Sequence, residues 1–291
     1  GAFIDLWEDE GPAKHLQGTA HEELLFRERM ISIVRKHAAT AHGAPLFLHY
    51  GSKLAHYPLQ APAEYVDKFK NVGHDNRRVY LAMVNFFDDQ LRTVTDELRR
   101  TSDGGAGKSM YEHTLIVVTS DNGGFVDPPL GTCHVSNLPT PRLLSASDHV
   151  HVGAVDGRRG GALGKAIDAA AAGGGVDFGH GMACFNGEAG ASNWPLKGGK
   201  YTEWEGGIRV VAFASGGFIP RGMRGRRLSG ILHIVDWYAT FCSLAGLDNC
   251  TTDSLAASSG LPAVESLNMW PYLSGAVDSS PRQSFLVSTD T

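Results

Sequence analysis

The sequence predicts an α/β fold built on a mainly parallel sheet flanked by helices. Two observations carry this prediction. Segments with helical and strand-like apolar patterns alternate along the chain, and a strong example of each occupies residues 79–98 and 114–120. Such alternation is typical of parallel strands joined by helices. Because ligands of these sheets bind beyond the carboxyl ends of the strands, residues that follow a strand are the first candidates for a functional site.

The first predicted elements precede residue 62. An apolar stripe with helical spacing predicts a helix that faces a core. Its members are Phe26, Met30, Ile33 and Val34. Residues 45–50 form a short apolar run, which predicts a buried strand, and a proline-rich turn segment follows over 56–62.

The amphipathic stretch over 79–98 predicts a long helix, because its apolar residues recur every three or four positions. These residues are Tyr80, Val84, Phe87, Leu91, Val94 and Leu98. A Gly/Ser-rich turn over 102–108 leads into the strand predicted over 114–120, which runs directly into Asp121. A second strand is predicted over 208–213, and a helix over 231–245 that begins near Asp236.

One stretch departs from this pattern. Between residues 153 and 190, 21 of 38 residues are Gly or Ala, with neither helical nor strand periodicity. We predict that residues 125–192 form a flexible surface insertion within a domain that spans residues 1–291.

Composition and charge limit the function. The chain has 291 residues, of which 42% are apolar, which is enough for a globular core. A net charge of −5 argues against a nucleic-acid binder that relies on positive charge. No stretch approaches 18 consecutive apolar residues, so no transmembrane helix is predicted. The chain begins with no basic-then-apolar leader, which predicts either that a leader was removed or that this is a piece of a longer protein.

The four cysteines, Cys133, Cys184, Cys242 and Cys250, contain no C-x-x-C pair, so neither a redox motif nor a zinc ribbon is indicated. Free thiols and two disulfides remain open alternatives. The single sequon begins at Asn249 and is compatible with glycosylation in a secretory compartment.

Three places carry residues suited to chemistry. Asp121 and Asn122 offer hard oxygen ligands after a strand, followed by two glycines, although an Asn-Gly turn is the simpler interpretation. Residues 193–209 combine two lysines and an arginine with two tryptophans and four glycines, a composition that can wrap an oxyanion or form a solvated basic loop. His56 follows the first predicted strand and can donate a proton beside a bound anion, unless it is structural.

Three blocks in this order resemble the sulfatase family, especially its arylsulfatase B-like branch. They are PLFLHY with HYPLQAP at residues 45–50 and 56–62, TSDNGG at 119–124, and NWPLKGGK with WEGGIRV at 193–200 and 204–210. The resemblance extends over about residues 1–124 and 193–291. It implies an alkaline phosphatase/sulfatase-like fold, here incomplete.

The resemblance also implies roles. Asp121 and Asn122 match two ligands of an active-site Ca²⁺, and Lys200 matches the lysine that holds the sulfate. His56 matches the histidine that contacts the ester oxygen and protonates the leaving alcohol. The implied activity is hydrolysis of sulfate monoesters, on a sulfated small molecule or glycan. The implied location is the lysosome or the extracellular space.

The nucleophile of the family is a formylglycine hydrate made within a C/S-x-P/A-x-R motif, and no Cys or Ser of this chain begins one. Residues 279–283 (SSPRQ) come nearest, with the arginine one position early. We therefore expect this chain to be the C-terminal portion of a sulfatase and to lack turnover alone. The alternatives are a phosphate-ester hydrolase of the alkaline phosphatase superfamily and a non-catalytic sulfatase-like module.

Overall fold

The computed structural model describes residues 6–16, 20–40, 43–56, 59–102, 107–126, 190–247 and 250–287. In chain order the strands are β1 (Trp7–Glu8), β2 (Gly11–Pro12), β3 (Ile116–Thr119) and β4 (Ala212–Ser215). The helices are α1 (Glu22–Thr40), α2 (Ala63–Val66), α3 (Asp75–Arg100), α4 (Glu205–Ile208), α5 (Asp236–Leu244), α6 (Ser254–Ser258) and α7 (Trp270–Ser274). Short 3₁₀ turns occupy Lys14–Leu16, Asp67–Phe69, Met110–His113 and Arg221–Met223.

These residues fall into two compact units. The first contains the described residues of 1–37, 48–98 and 120–210, and the second those of 38–47, 99–119 and 211–291. Every candidate site residue that the structure describes lies in the first unit.

The first unit is built around α1, α2 and α3. Tyr65, Val66, Ala82 and Phe86 are buried together, and partly buried apolar side chains pack around them. Those surrounding side chains belong to Leu24, Leu54, Ala61 and Phe69. Helix α1 buries Met30 and Val34, as its apolar spacing predicts, together with Ile31.

The long helix over 79–98 is confirmed and extends a turn further toward the N-terminus, but Leu98 is the one member of its predicted stripe that is buried. Val84 of the predicted stripe is 46% exposed. The buried face is Val79, Ala82, Met83, Phe86, Gln90, Glu97 and Leu98. Two polar residues interrupt this second stripe, and both have partners inside the fold. Gln90 donates to the Phe86 carbonyl oxygen at 3.3 Å, and the Glu97 carboxylate accepts two bonds from Arg35 at 2.7 and 2.9 Å.

The second unit contains the strand pair β3–β4. The strands run antiparallel, with Ile116 opposite Ser215 and Thr119 opposite Ala212. Strand β3 confirms the element predicted over 114–120. The strand predicted over 208–213 begins later, because the WEGGI segment first forms helix α4.

A buried ion pair holds the C-terminal part of the second unit. Burial alone would raise the pKa of the Asp236 carboxyl, but Arg282 and the backbone N–H groups of His233 and Leu267 together lower it below its usual range. The Arg282 guanidinium donates to both carboxylate oxygens, at 2.7 and 2.6 Å. This bidentate contact gives the near-motif over 279–283 a structural role, since its arginine closes the fold onto α5.

One strand prediction is wrong, and the predicted parallel sheet is not confirmed. Residues 45–50 form no strand, and Phe47 is 70% exposed, so the apolar run is not a buried strand. Among the described residues the strand pairs β1–β2 and β3–β4 are both antiparallel. The mainly parallel sheet therefore stays a prediction. The core of the predicted insertion, residues 127–189, lies outside the described residues.

Candidate active site

Asn193 joins two loops of the first unit. Its side-chain Oδ1 accepts the Gly124 N–H at 2.9 Å, while its Nδ2 donates to the Gly124 carbonyl oxygen at 2.8 Å and to that of Gly198 at 3.1 Å. A side-chain amide has a donor and an acceptor on adjacent atoms, so it can satisfy both backbone groups of one residue. The segment that follows Asp121 and Asn122 is thereby fastened to the loop that carries Lys200.

Direct backbone contacts complete this junction. The Gly123 N–H donates to the Gly207 carbonyl oxygen at 2.8 Å, and the Lys200 N–H donates to that of Gly124 at 3.1 Å. A Cβ atom at Gly123 would lie 1.8 Å from the Gly206 carbonyl oxygen, which no side chain tolerates. The glycines of the DNGG and WEGG motifs are therefore needed because two backbones approach each other closely.

Lys200 and His56 meet in this unit. The Lys200 Nζ lies 3.3 Å from the His56 Nε2. The His56 backbone N–H donates to the Lys53 carbonyl oxygen at 2.7 Å, which fixes the turn from which the imidazole projects. A lysine ammonium beside an imidazole is suited to binding an oxyanion, because each group can donate a hydrogen bond to the anion.

Asp121 and Asn122 lie in the segment joined to the Lys200 loop. The Asp121 Oδ1 accepts the Asn122 N–H at 2.8 Å, and the Asn122 Nδ2 donates to the Gly123 carbonyl oxygen at 2.8 Å. In the described part of the chain, no hydrogen bond engages the Asp121 Oδ2 or the Asn122 Oδ1. These two oxygens suit a hard cation such as Ca²⁺, and they fit it as two of the six to eight oxygen ligands that it takes.

The described residues show no cluster of further metal ligands. Over the residues that the structure describes, no cluster of three or more His, Cys, Asp or Glu side chains is arranged to hold a metal ion. Asp121 and Asn122 alone therefore offer fewer oxygens than a Ca²⁺ ion takes.

The two tryptophans of the 193–209 loop are exposed to solvent. Trp194 is 88% exposed and Trp204 is 54% exposed. The Lys197 Nζ lies 3.7 Å from the centre of the Trp204 ring, a cation–π contact. The Lys200 Nζ lies 5.4 Å from the centre of the Tyr201 ring, and the two lysines differ in that Lys200 also lies beside His56.

The sequence analysis did not identify Glu23. Its side chain is fully buried and is hydrogen-bonded to the segment that precedes His56. Its carboxylate accepts bonds from Ser52 and from the Lys53 N–H. Two glutamates at the start of a helix are an ordinary sign of helix-dipole stabilisation, so nothing in the sequence marked this one. The predicted glycosylation site Asn249 lies outside the described residues.

Two of the four cysteines lie within the described residues. Cys242 and Cys250 form a disulfide in the second unit, with their Cα atoms 6.1 Å apart. Cys133 and Cys184 lie outside the described residues. Within those residues, no helix is both long enough and apolar enough to cross a bilayer.

Known proteins resemble this chain in sequence. Arylsulfatase J of Mus musculus is 28% identical over 241 residues, which cover 83% of this chain and 28% of that protein. The chain thus spans well under two thirds of this relative.

Solved structures resemble it in fold. The crystal structure of Ps i-CgsB matches with a TM-score of 0.55 and 22% identity, covering 89% of this chain and 39% of that one. The structure of Ps i-CgsB in complex with k-i-k-neocarrahexaose matches with a TM-score of 0.54 and 23% identity, covering 86% and 37%. At these identities the likeness concerns the fold, and it supports the alkaline phosphatase/sulfatase-like class.

The family model described as Sulfatase matches residues 11–247. This match includes all three sequence blocks and both loops of the site. Since it covers most of the chain, the chain belongs to the sulfatase family.

Proposed function

We propose that this site binds the sulfate group of a sulfate monoester and takes part in hydrolysing it. The observation that carries the proposal is the 3.3 Å approach of the Lys200 Nζ to the His56 Nε2, between residues 144 positions apart in the sequence. Lys200 holds the sulfate through charge-assisted hydrogen bonds. A sulfated small molecule or a sulfated glycan fits this chemistry equally well.

His56 acts on the leaving group. Hydrolysis converts the ester and one water molecule into an alcohol and hydrogen sulfate, and the bond between sulfur and the bridging oxygen breaks. Negative charge develops on that oxygen as the bond lengthens. A protonated His56 transfers its proton to this oxygen, so the alcohol departs neutral, and the imidazole then regains a proton from solvent. Lys200 stabilises the charge on the other sulfate oxygens.

Asp121 and Asn122 would hold the calcium ion that the family uses. When bound, such an ion withdraws charge from the sulfate oxygens. The junction made by Asn193 serves this arrangement because it fastens the cation-binding segment to the loop that carries Lys200.

The nucleophile has no counterpart in these residues, because no Cys or Ser of the chain begins a C/S-x-P/A-x-R motif. We propose that residues 1–291 form part of a sulfatase catalytic domain, with residues 125–192 as an insertion in it, and that turnover needs residues beyond this set. The disulfide between Cys242 and Cys250 supports a lysosomal or extracellular location, since disulfides persist in oxidising compartments.

The test compares this chain with a longer protein that contains it and a C/S-x-P/A-x-R motif. Each is assayed on 4-nitrophenyl sulfate and 4-nitrophenyl phosphate, with calcium and with a chelator. We expect calcium-dependent hydrolysis of the sulfate ester by the longer protein and none by this chain. Preferential hydrolysis of the phosphate would identify a phosphatase instead. Sulfate binding without turnover of either ester in both proteins would identify a non-catalytic module.

A further inference from the structure

Glu23 is a carboxylic acid enclosed in the first unit. It is the second residue of α1, and none of its surface is exposed. Its carboxylate accepts bonds from the Ser52 Oγ at 3.2 Å and from the Lys53 N–H at 3.2 Å, and a further bond from the Tyr50 hydroxyl. All three donors belong to one run of four residues, so a single side chain fixes that run.

If it served only to stabilise the fold, a carboxylate at position 23 would be a poor choice, because its burial costs free energy. Burial raises the pKa of Glu23, and the Lys53 N–H and the Ser52 hydroxyl only partly offset that effect. An apolar side chain of similar size would fill the same volume without the desolvation cost. What the carboxylate adds is a defined set of acceptors, which selects one conformation of residues 50–53.

This conformation is transmitted to His56 through short backbone contacts. The Ser52 Oγ that donates to Glu23 also accepts the Leu54 N–H at 3.1 Å. The Lys53 residue whose N–H donates to Glu23 accepts the His56 N–H on its carbonyl oxygen at 2.7 Å. Glu23 is therefore joined to the backbone of His56 across one residue, Lys53.

We propose that Glu23 is a positioning residue for the candidate acid His56: it holds the turn over residues 50–56 so that the imidazole lies beside Lys200. The proposal rests on the function proposed above. It assigns Glu23 no contact with the substrate, because the side chain is buried and acts through Ser52 and Lys53.

The experiment uses this chain and inorganic sulfate as the probe, at constant ionic strength with chloride as the comparison anion. Glu23→Leu keeps the volume but removes every acceptor, while Glu23→Gln keeps one acceptor oxygen. Glu97→Gln is the matched control, since Glu97 is also buried and its carboxylate accepts two hydrogen bonds from Arg35, which does not belong to residues 50–56. The readouts are the dissociation constant for sulfate and the NMR signal of the His56 ring, assigned with His56→Gln.

We expect sulfate binding about tenfold weaker in Glu23→Leu and a smaller loss in Glu23→Gln, because displaced groups bind and react poorly. The His56 ring signal should shift in both variants and stay in place in Glu97→Gln. A folded Glu23 variant with the wild-type affinity and the wild-type His56 signal would overturn the proposal. If Glu23→Leu does not fold, Glu23→Gln decides by the same criterion.

Failure of the proposed function gives a different result. In that case the unmodified chain would bind sulfate no better than chloride, whatever residue stands at position 23. The His56 ring signal still reports the positioning role there, because it is read in the absence of sulfate. A signal that moves in the Glu23 variants but not in Glu97→Gln supports that role, and an unmoved signal refutes it.

Discussion

The Nζ atom of Lys200 lies 3.3 Å from the Nε2 atom of His56, across 144 positions of sequence. Between a protonated lysine and a neutral imidazole that carries its proton on Nδ1, this is an N–H···N hydrogen bond in which lysine donates. When the imidazole is protonated as well, the two cations repel each other, and an anion placed against both removes the repulsion. The pair is thus arranged to favour an oxyanion, which leads to the first prediction.

Lys200→Ala should weaken the binding of inorganic sulfate by about tenfold, the value of one charge-assisted hydrogen bond. Lys197→Ala is the control, because Lys197 belongs to the same loop but its Nζ lies over the Trp204 ring. Titration calorimetry at constant ionic strength measures both, since exposed charges are screened by salt. Equal losses in the two variants would mean that sulfate responds only to the general charge of the loop.

Asp121→Ala should reduce binding of Ca²⁺. The described residues offer two oxygen ligands, so we expect weak binding, with a dissociation constant on the order of 1 mM, and a further loss in the variant. Competition of Ca²⁺ with luminescent Tb³⁺ measures the affinity. Asp88→Ala removes an exposed carboxylate of α3 and controls for net charge. Unchanged Ca²⁺ affinity in Asp121→Ala would contradict the metal role.

Gly206→Ala should distort the loop over residues 193–209, which forms one side of the junction. An added Cβ would lie 2.1 Å from the Gly198 carbonyl oxygen and 2.6 Å from that of Lys197. Because neither backbone group can move without breaking the junction, we expect a loss of about 1–3 kcal/mol in the free energy of unfolding. Sulfate binding should weaken with it, since the same loop carries Lys200.

Gly73→Ala is the matched control for this change, as an added Cβ there meets nothing within 4 Å. Urea denaturation of the two variants gives the comparison. A Gly206 variant as stable as the Gly73 variant would show that this close backbone approach within the 193–209 loop is not needed.

The sequence predicted the existence of the long helices better than their faces. The periodicity of α3 is clear, but it contains two apolar stripes, and the buried one includes Gln90 and Glu97. Glu97 is accommodated there because Arg35 donates two hydrogen bonds to its carboxylate, whereas the Gln90 amide donates to a carbonyl oxygen of its own helix. The apolar run over 45–50 was assigned wrongly for a related reason, because hydrophobicity alone does not provide a neighbouring strand with which to pair.

The candidate site, too, could be predicted from the sequence only in part. Asp121 and Asn122 could be predicted as candidate oxygen ligands because they follow a strand, but the nearness of His56 and Lys200 does not follow from any local pattern. It came from the resemblance to sulfatases, and no argument from spacing connects residues so far apart. Glu23 left no sign in the sequence, since its importance depends on three donors from another segment.

Replacing Cys242 and Cys250 together by serine should lower the free energy of unfolding by about 2–3 kcal/mol. The disulfide closes a loop between residues separated by 8 positions, and a short loop gives a correspondingly small entropic stabilisation in the chain-entropy model. Chemical denaturation of the oxidised chain and the double variant measures the difference. No difference in the midpoint would indicate that the contacts of α5 already hold this segment.

His21 should make folding stability depend on pH. Burial, followed by the positive charge of Lys53, lowers the pKa of His21 to about 4 from 6.5. Its ring packs edge-on against Phe86 with centroids 5.1 Å apart, and its Nδ1 accepts the Glu23 N–H at 3.3 Å. The folded chain therefore keeps this histidine neutral where the unfolded chain protonates it. Its contribution is fully present above pH 6.5 and is lost as the pH falls from 6.5 toward 4.

His21→Asn tests this dependence, because an amide oxygen can accept the same bond at the start of α1 but carries no titratable group. Urea denaturation at pH 7 and pH 5 should show a smaller loss of stability on acidification in the variant than in the wild type. The comparison must be made between the two proteins, since the raised pKa of Glu23 acts in the opposite direction and stabilises the fold as pH falls. Equal losses in both proteins would show that the neutral, buried state of His21 does not control the acid response.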